Sequence, residues 1–267
     1  MKYTLILITA LLAFSCKEAP KEEQLANTMA KAEMVTETVT YPEALEKIFE
    51  AHGGLTNWKA KQTLSYDMAR GKKLENQVTD LYSRKDKISG DGFALGFDGS
   101  GVWLMSEGDQ YKGDPVFYHN LMFYFYAMPF VLADDGIVYS ETTNLEFEGK
   151  SYPGIGIGYN AGVGTSPKDE YFIHYDPETY QMAWLGYTVT YRSGEKSDNV
   201  KWIRYNDWMT VDDVVLPKSF TWHAYEGKTI KEAKNTVAFE NVSVSTSGQP
   251  EGFYAKPESA KYVKGKE

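Results

Sequence analysis

By residue type, the best candidates for acid–base or metal chemistry are His52, His119, His174 and His223. They are scattered along the chain and form no His-Glu-x-x-His or related ligand spacing, so no metal site is expected. Two adjacent carboxylate pairs, Asp134-Asp135 and Asp212-Asp213, have the type needed to share a proton in hydrolysis. Neighbours in an extended chain point to opposite sides, and both pairs lie beside turn signals, so they read as solvated turns. No Gly-x-Ser-x-Gly motif marks a nucleophile elbow. The expectation is no catalytic residue, no cofactor and no metal.

The remaining constellation is aromatic. Trp184, Trp202 and Trp222 fall in three C-terminal strands, with Phe220 and Trp222 on one face and Thr221, His223 and Tyr225 on the other. Phe117 to Ala133 contains no Asp, Glu, Lys or Arg and is interrupted by Pro129. It is too short to span a bilayer, which takes about 20 residues. Two readings stay open: a buried helical plug on the open side of a sheet, or a lid whose Phe123, Phe125, Met128 and Phe130 line an apolar cavity. In the second, Trp184, Trp202 and Trp222 supply the facing wall, since ligand pockets are mostly apolar with a few polar groups.

Between these lies Tyr152 to Tyr159, where Gly and Ile alternate. In a strand, Gly154, Gly156 and Gly158 share one face and Ile155, Ile157 and Tyr159 the other. A glycine face lets a ligand or another element approach the backbone. No helix follows that could hold a phosphate, which argues against nucleotide binding.

The elements that must position these residues are mostly strands. Residues 42–52 make the clearest helix: Pro42 suits its start, Glu43 and Glu46 complement its N-terminus, and Leu45, Ile48, Phe49 and His52 follow helical spacing before Gly53-Gly54. Beyond Trp58, strands are expected at Leu64 to Met68, Val78 to Tyr82, Phe93 to Phe97, Val102 to Met105, Tyr171 to Tyr175, Met182 to Tyr191, Val200 to Tyr205, Ser219 to Tyr225 and Thr236 to Val244. Turn residues such as Asp98-Gly99 and Asp176-Pro177 separate them. Short connections between such strands predict a mainly β, antiparallel meander. Aromatic residues at 15% suit that class.

At 267 residues the chain has room for one large domain, and a net charge of −9 argues against nucleic acid as a partner. An uncharged run from Tyr3 to Phe14 behind Lys2 reads as the apolar region of a signal peptide, 1–15. Cys16, the only cysteine, has no internal disulfide partner. Leu12-Ala13-Phe14-Ser15-Cys16 resembles the lipobox of bacterial lipoproteins, although that pattern places Leu where Ala13 stands. The resemblance implies acylation of Cys16 and membrane attachment through a lipid anchor. Residues 16–40 then form the anchor and a polar tether, 41–258 a single β-rich domain and 259–267 a C-terminal tail. Lys17 after the cysteine resembles sorting to the outer membrane, with the domain facing the periplasm or the cell surface.

The order of features in 42–258 is similar to the outer-membrane lipoprotein-sorting (LolA/LolB-like) superfamily: a helix ending His52-Gly53-Gly54, Trp58, Phe97-Asp98-Gly99 with Trp103, the strand–turn–strand Tyr171 to Trp184, and Leu216-Pro217-Lys218 leading into a strand. Pro129 to Asp134 and Val163 to Tyr171 further resemble a bacterial lipoprotein family known only as a domain of unknown function. The superfamily resemblance implies a half-open antiparallel barrel around a helical plug or lid, an apolar concave side that takes lipid acyl chains, and no catalytic residues. It implies a lipid-anchored receptor or sensor, because an anchored chain cannot shuttle. A surface carbohydrate- or protein-interaction module is the alternative, and an envelope hydrolase without a recognisable motif is a third reading.

Overall fold

The computed structural model describes residues 40–265 except 71–72, 109, 161–167, 191–194 and 196. The expected signal peptide, Cys16 and nearly all of the tether lie outside the described residues, as does most of Val163 to Tyr171. Tyr41–Glu267 is a compact unit and holds every helix and strand described below.

Helix α1, Glu43–Ala51, forms as its pattern predicts: Glu43 and Glu46 occupy the first turn, and Leu45, Ile48 and Phe49 are buried on one stripe. Gly53 (φ +100°) and Gly54 (φ +86°) end it. At Gly53 a Cβ would lie 2.1 Å from the Asp213 carbonyl oxygen, so only glycine lets the chain pass there. A short second helix, α2 (Leu55–Lys59), carries the buried Trp58 and was not apparent in the sequence.

Thirteen strands make one antiparallel sheet. In chain order they begin β1 (Thr63–Arg70), β2 (Lys73–Asp80), β3 (Asp86–Gly90), β4 (Phe93–Phe97) and β5 (Val102–Ser106). Helices α3 (Pro115–Tyr118) and α4 (Leu121–Tyr126) and a 3-10 turn (Phe130–Ala133) follow. The chain continues through β6 (Ile137–Glu141), β7 (Leu145–Phe147), β8 (Lys150–Tyr152), β9 (Gly154–Tyr159), β10 (Tyr171–Tyr175), β11 (Met182–Tyr187), β12 (Lys201–Val211), β13 (Val214–Glu226), β14 (Thr229–Ser245) and β15 (Lys261–Tyr262). The spatial order is β15-β5-β4-β3-β2-β1-β14-β13-β12-β11-β10-β9-β6, with β7 and β8 as a separate hairpin. The ends of that order do not pair with each other, so the sheet is not closed into a barrel. Because β15 pairs with β5, the folded unit runs past the boundary expected at residue 258.

The helices pack on one face, where α1, α4 and the 3-10 turn share a core with inward residues of β1 and β9 to β14, among them Leu64, Ile173, Leu185, Ile203, Leu216 and Phe220. A bulge on β14 bends the sheet between Ser65 and Asp67 of β1. Asn241 sits there at φ +50°, its side-chain amide donating to Asp67 Oδ2 at 2.8 Å. The opposite face carries a smaller cluster of Tyr152, Trp184, Val200 and Trp202 with Leu145 and Phe147 of the β7–β8 hairpin. The charge-free segment 117–133 thus forms the helical plug that one of its two readings anticipated, on the face that holds the main core.

Candidate functional site: a cavity with an apolar wall and a phenol-rich wall

Asp114 caps α3 by accepting the Val116 and Phe117 N–H groups at 3.0 and 3.3 Å, and Pro115 fills the first helical position. The next turn, α4, buries Met122, Phe123, Phe125 and Tyr126. The Tyr205 hydroxyl donates to the Phe125 carbonyl at 2.8 Å, and the Tyr139 hydroxyl donates to the Leu132 carbonyl at 2.6 Å. The last turn of α4 and the 3-10 turn are therefore each tied to the sheet through a carbonyl near a helix C-terminus.

Between plug and sheet is a cavity of about 650 Å³ that opens to solvent. That volume is typical of sites that enclose a small ligand. Leu121, Met122, Phe125, Met128, Val131, Val189 and Trp222 form its apolar wall. Phe125 packs against Tyr187 (centroids 5.1 Å apart) and edge-on to Trp222 (6.0 Å). The other wall is polar at its surface: Tyr124, Tyr159, Tyr171, Thr188, Asp134, Asp135 and Asp169, with Lys201 as the cation among the lining residues. Burial raises the pKa of the Tyr124, Tyr159 and Tyr171 phenols and pushes that of Tyr187 up to about 12, so all four are neutral hydroxyls at neutral pH. Asp134 is held by Arg84, whose Nη2 donates to Oδ1 at 2.5 Å while its guanidinium lies over the Phe123 ring. Burial raises the Asp134 pKa, and the Arg84 charge opposes that shift. Asp169 accepts the Thr190 N–H at 2.6 Å.

The residues expected to bind ligand separate into three groups. Phe125, Met128 and Trp222 line the cavity. Phe123 and Phe130 are buried behind it: Phe130 is stacked on Trp58 at 4.7 Å and on Phe49 at 6.3 Å, which makes it core. Trp184 and Trp202 do not face the cavity, because they belong to the cluster on the opposite side of the sheet. Register decides this. Trp184 pairs across with Arg204 and Trp202 with His223, whereas Trp222 pairs with Ile203, which faces the plug. Sequence reasoning missed the phenols Tyr124, Tyr171 and Tyr187. The place of Tyr159 beside Ile155 and Ile157 on the non-glycine face was the one available signal, and it is correct.

The other residues with chemical potential serve structure. His52 Nε2 accepts the Met182 N–H at 3.0 Å, and its Nδ1 meets the Val215 carbonyl at 3.2 Å. His174 Nδ1 meets the Tyr152 carbonyl at 3.2 Å and His223 Nδ1 the Lys231 carbonyl at 2.8 Å. His119 Nδ1 lies 2.7 Å from Asp86 Oδ2 and links α3 to the start of β3. Asp212 (φ +48°) and Asp213 (φ +62°) make the tight turn between β12 and β13, with Asp212 bridged to Lys61 at 2.6 Å. Among the described residues no group of three His, Cys, Asp or Glu is arranged to hold a metal. None of their helices is long and apolar enough to cross a membrane.

Solved structures similar to this chain include the following three, each at low identity. A LolA superfamily protein from Nitrosomonas europaea is 10% identical with a TM-score of 0.48, covering 82% of this chain and 99% of its own. A DUF1329 family protein from Desulfovibrio piger is 9% identical at a TM-score of 0.47, covering 78% and 97%. A domain described as an outer membrane lipoprotein-sorting protein, from Vibrio parahaemolyticus, is 11% identical at 0.43, covering 79% and 97%. No curated protein matches the chain. Residues 108–235, which include the helical plug and β6 to β13, match the model of DUF6503, a family of unknown function.

Proposed function

We propose that this protein is a lipid-anchored receptor of the cell envelope that holds one apolar ligand, an acyl chain or a hydrophobe of similar size, between the plug and the sheet, without catalysing a reaction on it. The observation that carries this reading is the cavity of about 650 Å³ between plug and sheet, which opens to solvent and is lined on one side by Phe125, Met128, Val131 and Trp222. Unfilled apolar surface of that kind is costly unless something occupies it, because each Å² left in water forgoes about 25 cal/mol. In this reading attachment is through acylated Cys16, at the outer membrane. Native mass spectrometry of the full chain purified from a bacterial host, with lipid extraction, tests it. Near-stoichiometric copurified lipid, or uptake of an added single-chain lipid, is the expected result. A clean mass with no uptake would remove the reading and favour an interaction module. Radiolabelled palmitate should label the wild type and not Cys16→Ala.

A further inference from the structure

The charged groups that line the cavity differ in whether the fold has already matched them. Asp134 is paired with Arg84, and Asp169 accepts the Thr190 N–H and has a further interaction of its own. Asp135 is exposed to solvent and sits beside Asp134, on whose carboxyl it acts. Lys201 is half-buried in the lining and makes no ion pair or hydrogen bond with any described residue. An ammonium has three donors and no acceptor, so only an acceptor can satisfy it, and an anion does so best.

Placement supports the same conclusion. Lys201 of β12 pairs with Tyr187 of β11, which is one step from Tyr171 of β10, so the three form one cross-strand row. Asp134 acts electrostatically on Tyr124, Tyr139 and Tyr159, and Asp169 acts on Tyr159 and Tyr171. The groups that act on Tyr187 are Trp222 and Tyr225, with no carboxylate among them. The carboxylates therefore gather toward β9 and β10, and the unmatched cation stands on the far side of Tyr187. The Tyr187 oxygen accepts the Trp222 N–H, while its own proton is given to no described residue and remains a donor beside Lys201.

We propose that the cavity takes a single-chain amphiphile with an anionic head, a carboxylate or a phosphate monoester, whose head is held by Lys201 with the Tyr187 hydroxyl as second donor. This rests on the apolar-ligand reading above and adds the chemistry of the head. The chain lies against Phe125, Met128 and Trp222, and the head stays where Lys201 meets solvent.

The test is displacement of the uncharged fluorescent probe N-phenyl-1-naphthylamine from the full chain at pH 7.5 by four C16 amphiphiles below their micellar concentrations: palmitate, hexadecyl phosphate, monopalmitoylglycerol and hexadecylamine. At low salt at least one of the two anions should displace at about a fivefold lower concentration than monopalmitoylglycerol, as expected of one partly exposed ion pair. The stronger of the two identifies the anion. That ratio should shrink in about 0.5 M salt, through screening, and fall toward one in Lys201→Gln while Lys201→Arg keeps it. Lys201→Met is the second variant should Lys201→Gln not fold. Monopalmitoylglycerol as strong as both anions, or a ratio unchanged in Lys201→Gln, overturns the proposal and leaves the apolar-ligand reading intact. Hexadecylamine as the strongest of the four also overturns it, by moving the head to the aspartates. If neither the probe nor any of the four binds, both readings fall.

Discussion

The indole N–H of Trp222 on β13 donates to the phenol oxygen of Tyr187 on β11 at 3.1 Å, reaching over the intervening strand β12. Both rings also touch Phe125 of the plug. One hydrogen bond and two ring contacts thus fix the corner where the apolar wall meets the phenols. Trp222→Ala should weaken displacement-measured ligand affinity by at least about tenfold and cost about 2 kcal/mol of stability, less than a fully buried Trp because this one is half-buried. Trp222→Phe keeps the wall and loses only the bond, so its affinity should fall much less. Unchanged binding in a folded Trp222→Ala protein would take this residue out of the wall.

Trp184 looks equivalent to Trp222 in sequence and has the opposite role. Fully buried beneath the β7–β8 hairpin, it meets the Phe147 ring at 4.7 Å and the Arg204 guanidinium at 5.1 Å. Trp184→Phe should therefore lower the urea midpoint by creating a void while leaving ligand affinity as in the wild type. A change in affinity without a change in midpoint would contradict this placement.

The contrast between the two tryptophans shows what the sequence could disclose. Parity within a strand was readable, so Phe220 and Trp222 were correctly separated from His223. Parity between strands depends on register, which no single segment encodes: bulges between Arg204 and Asp207 and between Trp222 and His223 shift it. The plug was legible because a charge-free run must be buried somewhere. The phenol wall was not, because Tyr124 comes from a helix while Tyr159, Tyr171 and Tyr187 come from three adjacent strands. Strand β3, Asp86–Gly90, escaped notice because its short, polar sequence lacks alternation, and it is held by pairing on both sides.

The glycines of β9 differ in what they face, which gives a graded prediction. A Cβ at Gly154 would lie 2.5 Å from the His174 ring and 2.7 Å from the Thr142 methyl. His174 is buried and bonded to the Tyr152 carbonyl, so it cannot yield cheaply. At Gly158 the nearest atom would be 4.0 Å away. Gly154→Ala should destabilise by about 1–3 kcal/mol, as overpacking does, and Gly158→Ala should be tolerated. Chemical denaturation of the two variants side by side decides it; similar losses in both would show that strand entropy, not the close approach, governs this face.

Arg84 joins the β2–β3 turn to the end of the plug through Asp134, with both side chains about one-third exposed. Solvent screening limits such a pair to about 1 kcal/mol. Its effect should be local. In Arg84→Gln, hydrogen exchange across 130–134 should quicken by several-fold while amides of β12 and β13 keep wild-type protection. Uniform quickening over the domain would mean that the pair supports global stability and not the seating of the plug.

Two buried histidines set the acid sensitivity. Burial holds the pKa of His52 and that of His174 down at about 4, against an unfolded value near 6.5. With a depressed folded value, each contributes stability that is complete above pH 6.5 and is lost as pH falls toward 4, because the unfolded chain takes up the proton first. At pH 5 the loss is about 2 kcal/mol per histidine. For His52 the cause is visible: Nε2 must stay unprotonated to accept the Met182 N–H, which leaves Nδ1 to donate to the Val215 carbonyl. Protonation would set one donor against another inside the core. His52→Gln preserves an acceptor and a donor without the titration, so the stability difference between pH 7.5 and pH 5.0 should shrink by about 2 kcal/mol relative to the wild type. An undiminished difference in a well-folded His52→Gln protein would assign the acid sensitivity to His174 or to the carboxylates, and the β11–α1–β13 junction would then be insensitive to pH.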